Sequence, residues 1–107
     1  MLPIKVITDE TLKADVLDSP KVFFLAVGAE WCPDCRRAAP FFAQFANTYK
    51  DQAGFGAADS EKNPDIVEMF HVVNIPTMVA IKDGKEVDRI VEVRTPSELK
   101  AFIERNL

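Results

Sequence analysis

Cysteine, histidine and long apolar runs are all scarce in this sequence. Two cysteines in 107 residues are too few for a disulfide-stabilised scaffold. With a single histidine they also fall short of the roughly four ligands that a zinc site needs. The longest apolar run, residues 22–29, covers about eight residues, whereas a membrane-spanning helix needs about 20. The sequence therefore argues against a disulfide scaffold, a metal site and a membrane protein.

Positive charge is also in short supply. The 13 Lys and Arg residues face 17 Asp and Glu residues, which gives a net charge of −4. Such a chain has no field that would neutralise phosphates, so we expect no nucleic-acid partner. The hydrophobic fraction of 48%, the length and the absence of a linker or repeat predict one folded domain over residues 1–107. We also expect a monomer.

The N-terminal segment carries no sign of export. Residues 1–7 contain no basic region followed by a long apolar stretch and a cleavage site of small residues. We therefore expect a cytoplasmic protein. In that compartment, a cysteine pair is more often catalytic or metal-binding than a permanent cross-link.

Strand and helix patterns alternate along the chain. Continuous apolar runs, period-2 alternation and turn residues predict strands at residues 4–7, 22–27, 55–58, 77–81 and 87–93. Helical spacing and capping residues predict helices at 9–17, 33–49, 63–70 and from 95 onward, the last with Leu99, Phe102, Ile103 and Leu107 on its inner face. Pro40 is expected to bend the second helix. This order predicts an α/β fold: a mixed central sheet, helices on both faces, and an antiparallel edge hairpin that turns at residues 82–85.

The residues most suited to chemistry are Cys32 and Cys35. Cys32 lies between a predicted buried strand and a long helix, where backbone N–H groups and the helix dipole favour a thiolate. Pro33 suits the first helical position, which needs no N–H donor. Cys35 lies one turn further on the same face, near enough for a disulfide, and we expect it to be the more buried cysteine. A structural disulfide, a zinc site and chance spacing are alternatives, but so small a ring constrains the unfolded chain weakly.

Several motifs, in this order, resemble the thioredoxin family over nearly the whole chain. They are Ala29-Glu30-Trp31-Cys32-x-x-Cys35, Pro40, Asn63-Pro64, Ile75-Pro76-Thr77, the turn Lys82-Asp83-Gly84-Lys85, and Leu99-Lys100-x-Phe102-Ile103. The resemblance implies the thioredoxin fold and a thiol–disulfide oxidoreductase that reduces disulfides in other proteins. It implies thioredoxin reductase as the electron donor and no cofactor beyond the Cys32–Cys35 disulfide.

The same resemblance assigns roles to individual residues. Cys32 would be the nucleophile and Cys35 the thiol that resolves the mixed disulfide. A substrate-docking platform would consist of Trp31, Pro33, Val73, Ile75 and Pro76, with Pro76 in the cis form so that an extended peptide can pair with the loop. For Val73 and Ile75, packing in the core is the alternative.

Five positions depart from the family pattern. The tetrapeptide is Cys-Pro-Asp-Cys rather than Cys-Gly-Pro-Cys, which resembles a thioredoxin-related subfamily with narrower substrate choice and makes Asp34 a modulating residue. Ala26 and Ala57 stand where the family has a buried acid and a lysine, so the proton of Cys35 would pass to Asp34, Asp59 or water. Glu92 replaces a small glycine beside the docking groove, where a carboxylate would repel acidic or bulky substrates.

Two other functions remain open from the sequence. Glutaredoxins, which use glutathione, often carry proline after the first cysteine, although Trp31, Pro40 and the hairpin argue against that family. A thioredoxin-fold module that holds a partner without redox chemistry is the other alternative.

Overall fold

Five strands form a single sheet in the computed structural model, in the order β1-β3-β2-β4-β5. The structure describes residues 3–107, so Met1 and Leu2, part of the predicted domain and of the segment predicted to carry no export signal, lie outside the described residues. The strands are β1 Ile4–Val6, β2 Phe23–Gly28, β3 Gly54–Asp59, β4 Thr77–Lys82 and β5 Lys85–Val91. The helices are α1 Pro33–Thr48, α2 Pro64–Met69 and α3 Pro96–Glu104, and a π-helical turn spans Lys13–Leu17.

The sheet is mixed, as the sequence predicts. Strand β3 pairs in parallel with β1 and β2, whereas β4 runs antiparallel to both β2 and β5. Strand β2 is almost wholly apolar and lies inside the sheet with helices over both faces, as expected for a strand buried on each side. The β4–β5 hairpin turns at Asp83 and Gly84, whose φ angles of 54° and 78° fit a two-residue turn.

Each face of the sheet has its own hydrophobic core. Helices α1 and α3 cover one face, where the ring of Phe24 stacks on Phe55 with centroids 5.3 Å apart and meets Phe102 edge-to-face at 5.7 Å. The π-helical turn and α2 cover the other face with Val16, Ile66 and their neighbours. Burial of each such side chain contributes about 1.5–3 kcal/mol relative to exposure. The end of β2, which leads through a short turn to Cys32, is therefore held between two packed layers.

The predicted first helix is only partly present. Residues 9–11 form a turn, and the following helical turn is wide, because the Asp18 N–H donates to the carbonyl of Lys13, five residues back, at 2.9 Å. The carboxylate of Asp9 is used elsewhere. It accepts the N–H groups of Asp65 and Ile66 at 3.2 and 3.0 Å, and so caps α2 instead of starting a helix of its own.

Two predicted boundaries at the C-terminal end are wrong. Strand β5 ends at Val91 instead of residue 93, because Glu92 adopts a φ of 54° that breaks the extended conformation. Helix α3 ends at Glu104, so Leu107 lies beyond it and is 44% exposed rather than on the inner face. The start of α3 is as predicted: the Glu98 N–H donates to the Thr95 hydroxyl at 3.2 Å. Helix α1 continues through Pro40, and a bend there stays a prediction.

The outer edge of the hairpin is charged. Strand β5 lies at one edge of the sheet, and Arg89 forms an ion pair with Glu86 at 2.6 Å. Asp88 of the same strand accepts from Arg105 and Asn106 at 2.7 and 2.8 Å, which fastens the strand to the end of α3. These bonds lower the pKa of the Asp88 carboxyl, chiefly through Arg105.

Candidate active site

Cys32 is the N-cap of α1. Its backbone is extended (φ −79°, ψ 116°), and Pro33 follows at the start of the helix, where a missing N–H costs nothing. The Sγ atom of Cys32 accepts the backbone N–H of Cys35 at 3.2 Å. A sulfur in this position lies against the unpaired N–H groups and the positive end of the helix dipole, which stabilise negative charge. Cys32 therefore lies where the sequence predicts, at the N-terminus of a helix.

Cys35 lies one turn into the helix, and both cysteines are free thiols. The prediction that Cys35 is the more buried of the two is wrong: Cys32 is 5% exposed, whereas Cys35 is half-buried. Burial, and then the hydrogen bond with Cys32, nevertheless raise the pKa of the Cys35 thiol to about 11. At neutral pH, Cys35 is therefore protonated and must lose a proton before it can attack another sulfur.

A cavity beside Cys35 explains its exposure. Ala26 and Ala57 are register partners on β2 and β3, and both side chains end at Cβ. The space between these strands and α1 is a cavity of about 370 Å³ that Cys35 lines. Ala26 is accordingly half-buried. The polar residues at the cavity are Glu30, Arg36 and Asp59, and the rest of the wall is apolar.

The loop before β4 brings backbone atoms next to Cys32. The carbonyl oxygen of Ile75 lies 3.9 Å from Cys32 Sγ, and the Ile75–Pro76 peptide bond is cis, as the family resemblance implies. Pro76 is buried and Ile75 is half-buried. The structure thus places Ile75 and Pro76 beside the cysteines, whereas core packing remains a sufficient explanation for the Ile75 side chain.

The other three predicted platform residues lie on the surface. Trp31 is 63% exposed, Val73 is 86% exposed and Pro33 is also exposed. Core packing is therefore excluded for Val73. The indole N–H of Trp31 donates to the carboxylate of Glu61. Glu61 was not identified from the sequence, because no spacing rule connects residues 30 positions apart on different elements.

Asp34 is engaged by a neighbouring arginine. Its carboxylate forms an ion pair with Arg37 at 2.9 Å in the first turn of α1, and both side chains are well exposed. Repulsion from Asp34 is the smallest of the causes that raise the Cys35 pKa. The structure thus supports a weak influence of Asp34 on the dithiol, partly cancelled by Arg37.

The part of the chain that the structure describes contains neither a candidate metal site nor a candidate membrane-spanning helix. Over residues 3–107, no three His, Cys, Asp or Glu side chains lie together as a metal site would require. Within the same residues, no helix combines the length and apolarity needed to cross a bilayer.

Comparisons with known proteins agree with the geometry. The thioredoxin family model matches residues 3–105. Thioredoxin 1 of Synechococcus elongatus is 31% identical over 101 residues, which cover 94% of this chain and 94% of the relative. A bifunctional thioredoxin reductase/thioredoxin of Mycobacterium leprae is 34% identical over 93 residues, covering 87% of this chain and 20% of that protein.

A solved structure gives the same result for the fold. The thioredoxin of Malassezia sympodialis superposes with a TM-score of 0.88 at 28% identity, and the match covers 96% of this chain and 90% of that chain. Thioredoxins reduce protein disulfides with a cysteine pair of their own chain and need no separate cofactor. The chain belongs to the thioredoxin family and is, like its relatives, a thiol–disulfide oxidoreductase.

Proposed function

We propose that this protein reduces disulfides in other proteins with Cys32 as the attacking thiol and Cys35 as the resolving thiol. The observation that carries the assignment is the position of Cys32 Sγ at the N-cap of α1, where it accepts the Cys35 N–H at 3.2 Å. A helix N-terminus favours the thiolate, which is the nucleophile in disulfide exchange. The Cys35 thiol, with a pKa of about 11, is suited to act second.

The proposed reaction has two exchanges. The Cys32 thiolate attacks one sulfur of the substrate disulfide, a Cys32–substrate disulfide forms, and the other substrate sulfur leaves as a thiolate. Cys35 then loses its proton and attacks Cys32. The Cys32–substrate bond breaks, the second substrate sulfur leaves as a thiolate, and the Cys32–Cys35 disulfide forms. Two electrons pass to the substrate.

We further propose that the substrate docks as an extended segment across Trp31, Pro33, Val73, Ile75 and Pro76. The Ile75 carbonyl beside Cys32 Sγ offers a backbone acceptor next to the reacting sulfur. Trp31 precedes Cys32 in the chain, Val73 lies two residues before Ile75, and both side chains are exposed and apolar. Backbone pairing combined with apolar side-chain contacts is a common mode of peptide recognition.

The partners and setting of the reaction are also proposals. A thioredoxin reductase is the proposed electron donor, supported by the Mycobacterium leprae relative that is named a bifunctional thioredoxin reductase/thioredoxin. We propose a cytoplasmic monomer with one domain over residues 1–107. A radius of gyration of 12.2 Å supports the single domain, since about 13 Å is typical for 100 residues.

The test is reduction of insulin disulfides, driven either by NADPH with thioredoxin reductase or by reduced glutathione. We expect turnover with the first donor and little with the second; the reverse result would support a glutaredoxin-like protein. Cys35→Ser should accumulate mixed disulfides with substrate proteins and Cys32→Ser should not. The alternative, a binding module without redox chemistry, predicts that a double Cys→Ser variant still binds its partner.

A further inference from the structure

The mechanism needs a base that the two cysteines do not supply. Cys35 must lose its proton when it attacks Cys32, and burial makes this deprotonation unfavourable at neutral pH. A positioned base accelerates such a proton transfer. The cavity beside Cys35 is the route by which the proton can leave, because Cys35 lines it.

The charged groups that face this cavity are few. Glu30 comes from the turn before Cys32, Arg36 from α1 and Asp59 from the end of β3. Strands β1 and β4 and the loop before β4 contribute only the apolar residues Ile4, Met78 and Pro76. In the part of the chain that the structure describes, Asp34 does not line the cavity. Its carboxylate forms an ion pair with Arg37 at 2.9 Å. The candidate bases are therefore Glu30 and Asp59.

The sheet register favours Asp59 over Glu30. The sulfur of Cys35 lies directly over Gly28, so closely that a Cβ added to Gly28 would be 2.8 Å from Sγ. Gly28 is the register partner of Asp59, and the next N–H, that of Ser60, donates to the Gly28 carbonyl at 2.8 Å. Asp59 therefore occupies the strand position next to the one over which the Cys35 sulfur lies.

The orientation of the Asp59 side chain also favours Asp59 as the base. Side chains alternate along a strand, so Asp59 projects to the same face as Ala57, and both line the cavity. The Oδ1 atom of Asp59 accepts the Glu61 N–H at 2.8 Å, and among residues 3–107 its Oδ2 atom accepts no hydrogen bond. One carboxylate oxygen is thus fixed by the turn while the other is free to accept a proton.

We propose that Asp59 takes the proton of Cys35, relayed by water in this cavity, as Cys35 attacks Cys32. A cavity of about 370 Å³ has room for several water molecules, and the charged groups at its wall can bind them. In the step, the Cys35 S–H bond breaks and its proton passes through water to the Asp59 carboxylate and then to solvent. The Cys35–Cys32 bond forms, and the Cys32–substrate bond breaks to release a substrate thiolate. This role rests on the proposed assignment of Cys35 as the resolving thiol.

The experiment follows the two exchanges separately. Reduced protein is mixed with excess 5,5′-dithiobis(2-nitrobenzoate) in a stopped-flow instrument. The first release of coloured thiolate reports attack by Cys32, and the second, independent of reagent concentration, reports attack by Cys35. We expect Asp59→Asn to slow the second phase about tenfold at pH 7 and to leave the first within about twofold. The asparagine keeps an acceptor for the Glu61 N–H, so the turn is preserved.

The pH dependence and the controls separate a proton relay from a structural effect. The deficit of Asp59→Asn should shrink as the pH rises toward 10, because hydroxide then removes the proton directly, and Asp59→Glu should recover most of the rate. The matched control Glu30→Gln should leave both phases unchanged. Ala57→Leu, which fills the cavity, should slow the second phase with Asp59 intact, and Asp59→Asn should add nothing further in that background.

Three outcomes overturn the inference: a normal second phase in Asp59→Asn, a deficit that does not change with pH, or an equal deficit in Glu30→Gln. None of them touches the proposed function. That proposal fails instead if the first phase survives Cys32→Ser or if insulin is not reduced.

Discussion

The backbone N–H of Glu92 donates to the carbonyl of Pro76 at 2.7 Å while Glu92 itself holds a φ of 54°. This bond fastens the segment after β5 to the loop beside the cysteines. A positive φ is unfavourable for any residue with a Cβ, and glycine adopts it freely. The chain thus carries a strained glutamate next to its proposed docking platform.

The first prediction concerns this strain. Glu92→Gly should raise the free energy of unfolding by about 1 kcal/mol, because it relieves the backbone and keeps the N–H that bonds to Pro76. Urea denaturation measures the change. Glu92→Ala is the matched control: it removes the carboxylate but keeps the strain, so it should not stabilise. Equal stabilisation by both variants would show that the carboxylate, not the backbone, is responsible.

The same pair of variants tests the effect of Glu92 on substrates. If the carboxylate repels acidic proteins, Glu92→Gly and Glu92→Ala should both increase kcat/KM for an acidic disulfide peptide more than for a basic one of equal length. The gain for the acidic peptide should fall as salt is added. Equal gains for both peptides would mean that the side chain acts by its bulk.

The second prediction concerns Asp9, which ties the segment after β1 to α2. Its two carboxylate oxygens accept the N–H groups of Asp65 and Ile66. Asp9→Ala should lower the free energy of unfolding by about 1–2 kcal/mol, as for loss of a helix N-cap. The neighbouring Glu10→Ala, at an exposed position, should change it by less than about 0.5 kcal/mol. Equal losses in urea denaturation would mean that net charge, not the cap, matters.

The third prediction is the effect of pH on the stability of the reduced protein. Folding raises the pKa of Cys35 from 9.0 to about 11, so the native state holds the thiol proton more tightly than the unfolded state does. The resulting stabilisation is complete below pH 9 and is lost as the pH rises through 11. Because the thiol is half-exposed, we expect a loss of only about 1 kcal/mol.

The measurement compares urea denaturation of the reduced protein and of Cys35→Ser between pH 8 and pH 10.5. The difference in unfolding free energy between the two should narrow as the pH rises. A difference that stays constant would show that Cys35 titrates alike in both states. The comparison cancels the titration of lysine and tyrosine side chains, which both proteins share.

The fourth prediction concerns Asp34 and the redox poise. A positive charge near Cys32 favours its thiolate, stabilises the reduced protein and so raises the reduction potential. Asp34→His should raise the potential more than Asp34→Asn. Because the site is exposed and Arg37 already offsets the carboxylate, we expect shifts of about 10–20 mV. Equilibration with glutathione redox buffers measures them.

Arg37→Gln provides the opposing control. It leaves Asp34 without its partner, so the potential should move slightly downward instead. If all three variants shift the potential in the same direction, changes in the helix rather than local charge set it.

The elements that follow from local chemistry could be predicted from the sequence. The buried run of β2, the proline at the start of α1 and the glycine of the hairpin each impose their structure on neighbouring residues, and all are present. The cysteine pair of the site could be predicted from the sequence for the same reason, because the two cysteines lie within one helical turn.

Features that depend on distant partners could not be predicted. Asp9 looks like a residue in the first turn of its own helix, yet it caps α2, more than 50 residues further along the chain. The exposure of Cys35 depends on two alanines on adjacent strands that leave space together. Neither alanine predicts a cavity alone. The end of β5 was missed because nothing in the residue types indicates a glutamate at positive φ.

The charged edge strand β5 has a consequence for how copies of this protein meet at high concentration. An exposed strand edge is a template for pairing with another chain, and charged side chains are a common protection against aggregation. Here the Arg89–Glu86 pair and the bonds from Asp88 to α3 hold charge along that edge, while the opposite edge strand, β1, is only 3 residues long. Growth of ordered aggregates through sheet edges would therefore require either that β5 separates from α3 or that the ion pairs of β5 are neutralised. Acid and high salt are therefore the conditions under which this protein is most prone to self-association.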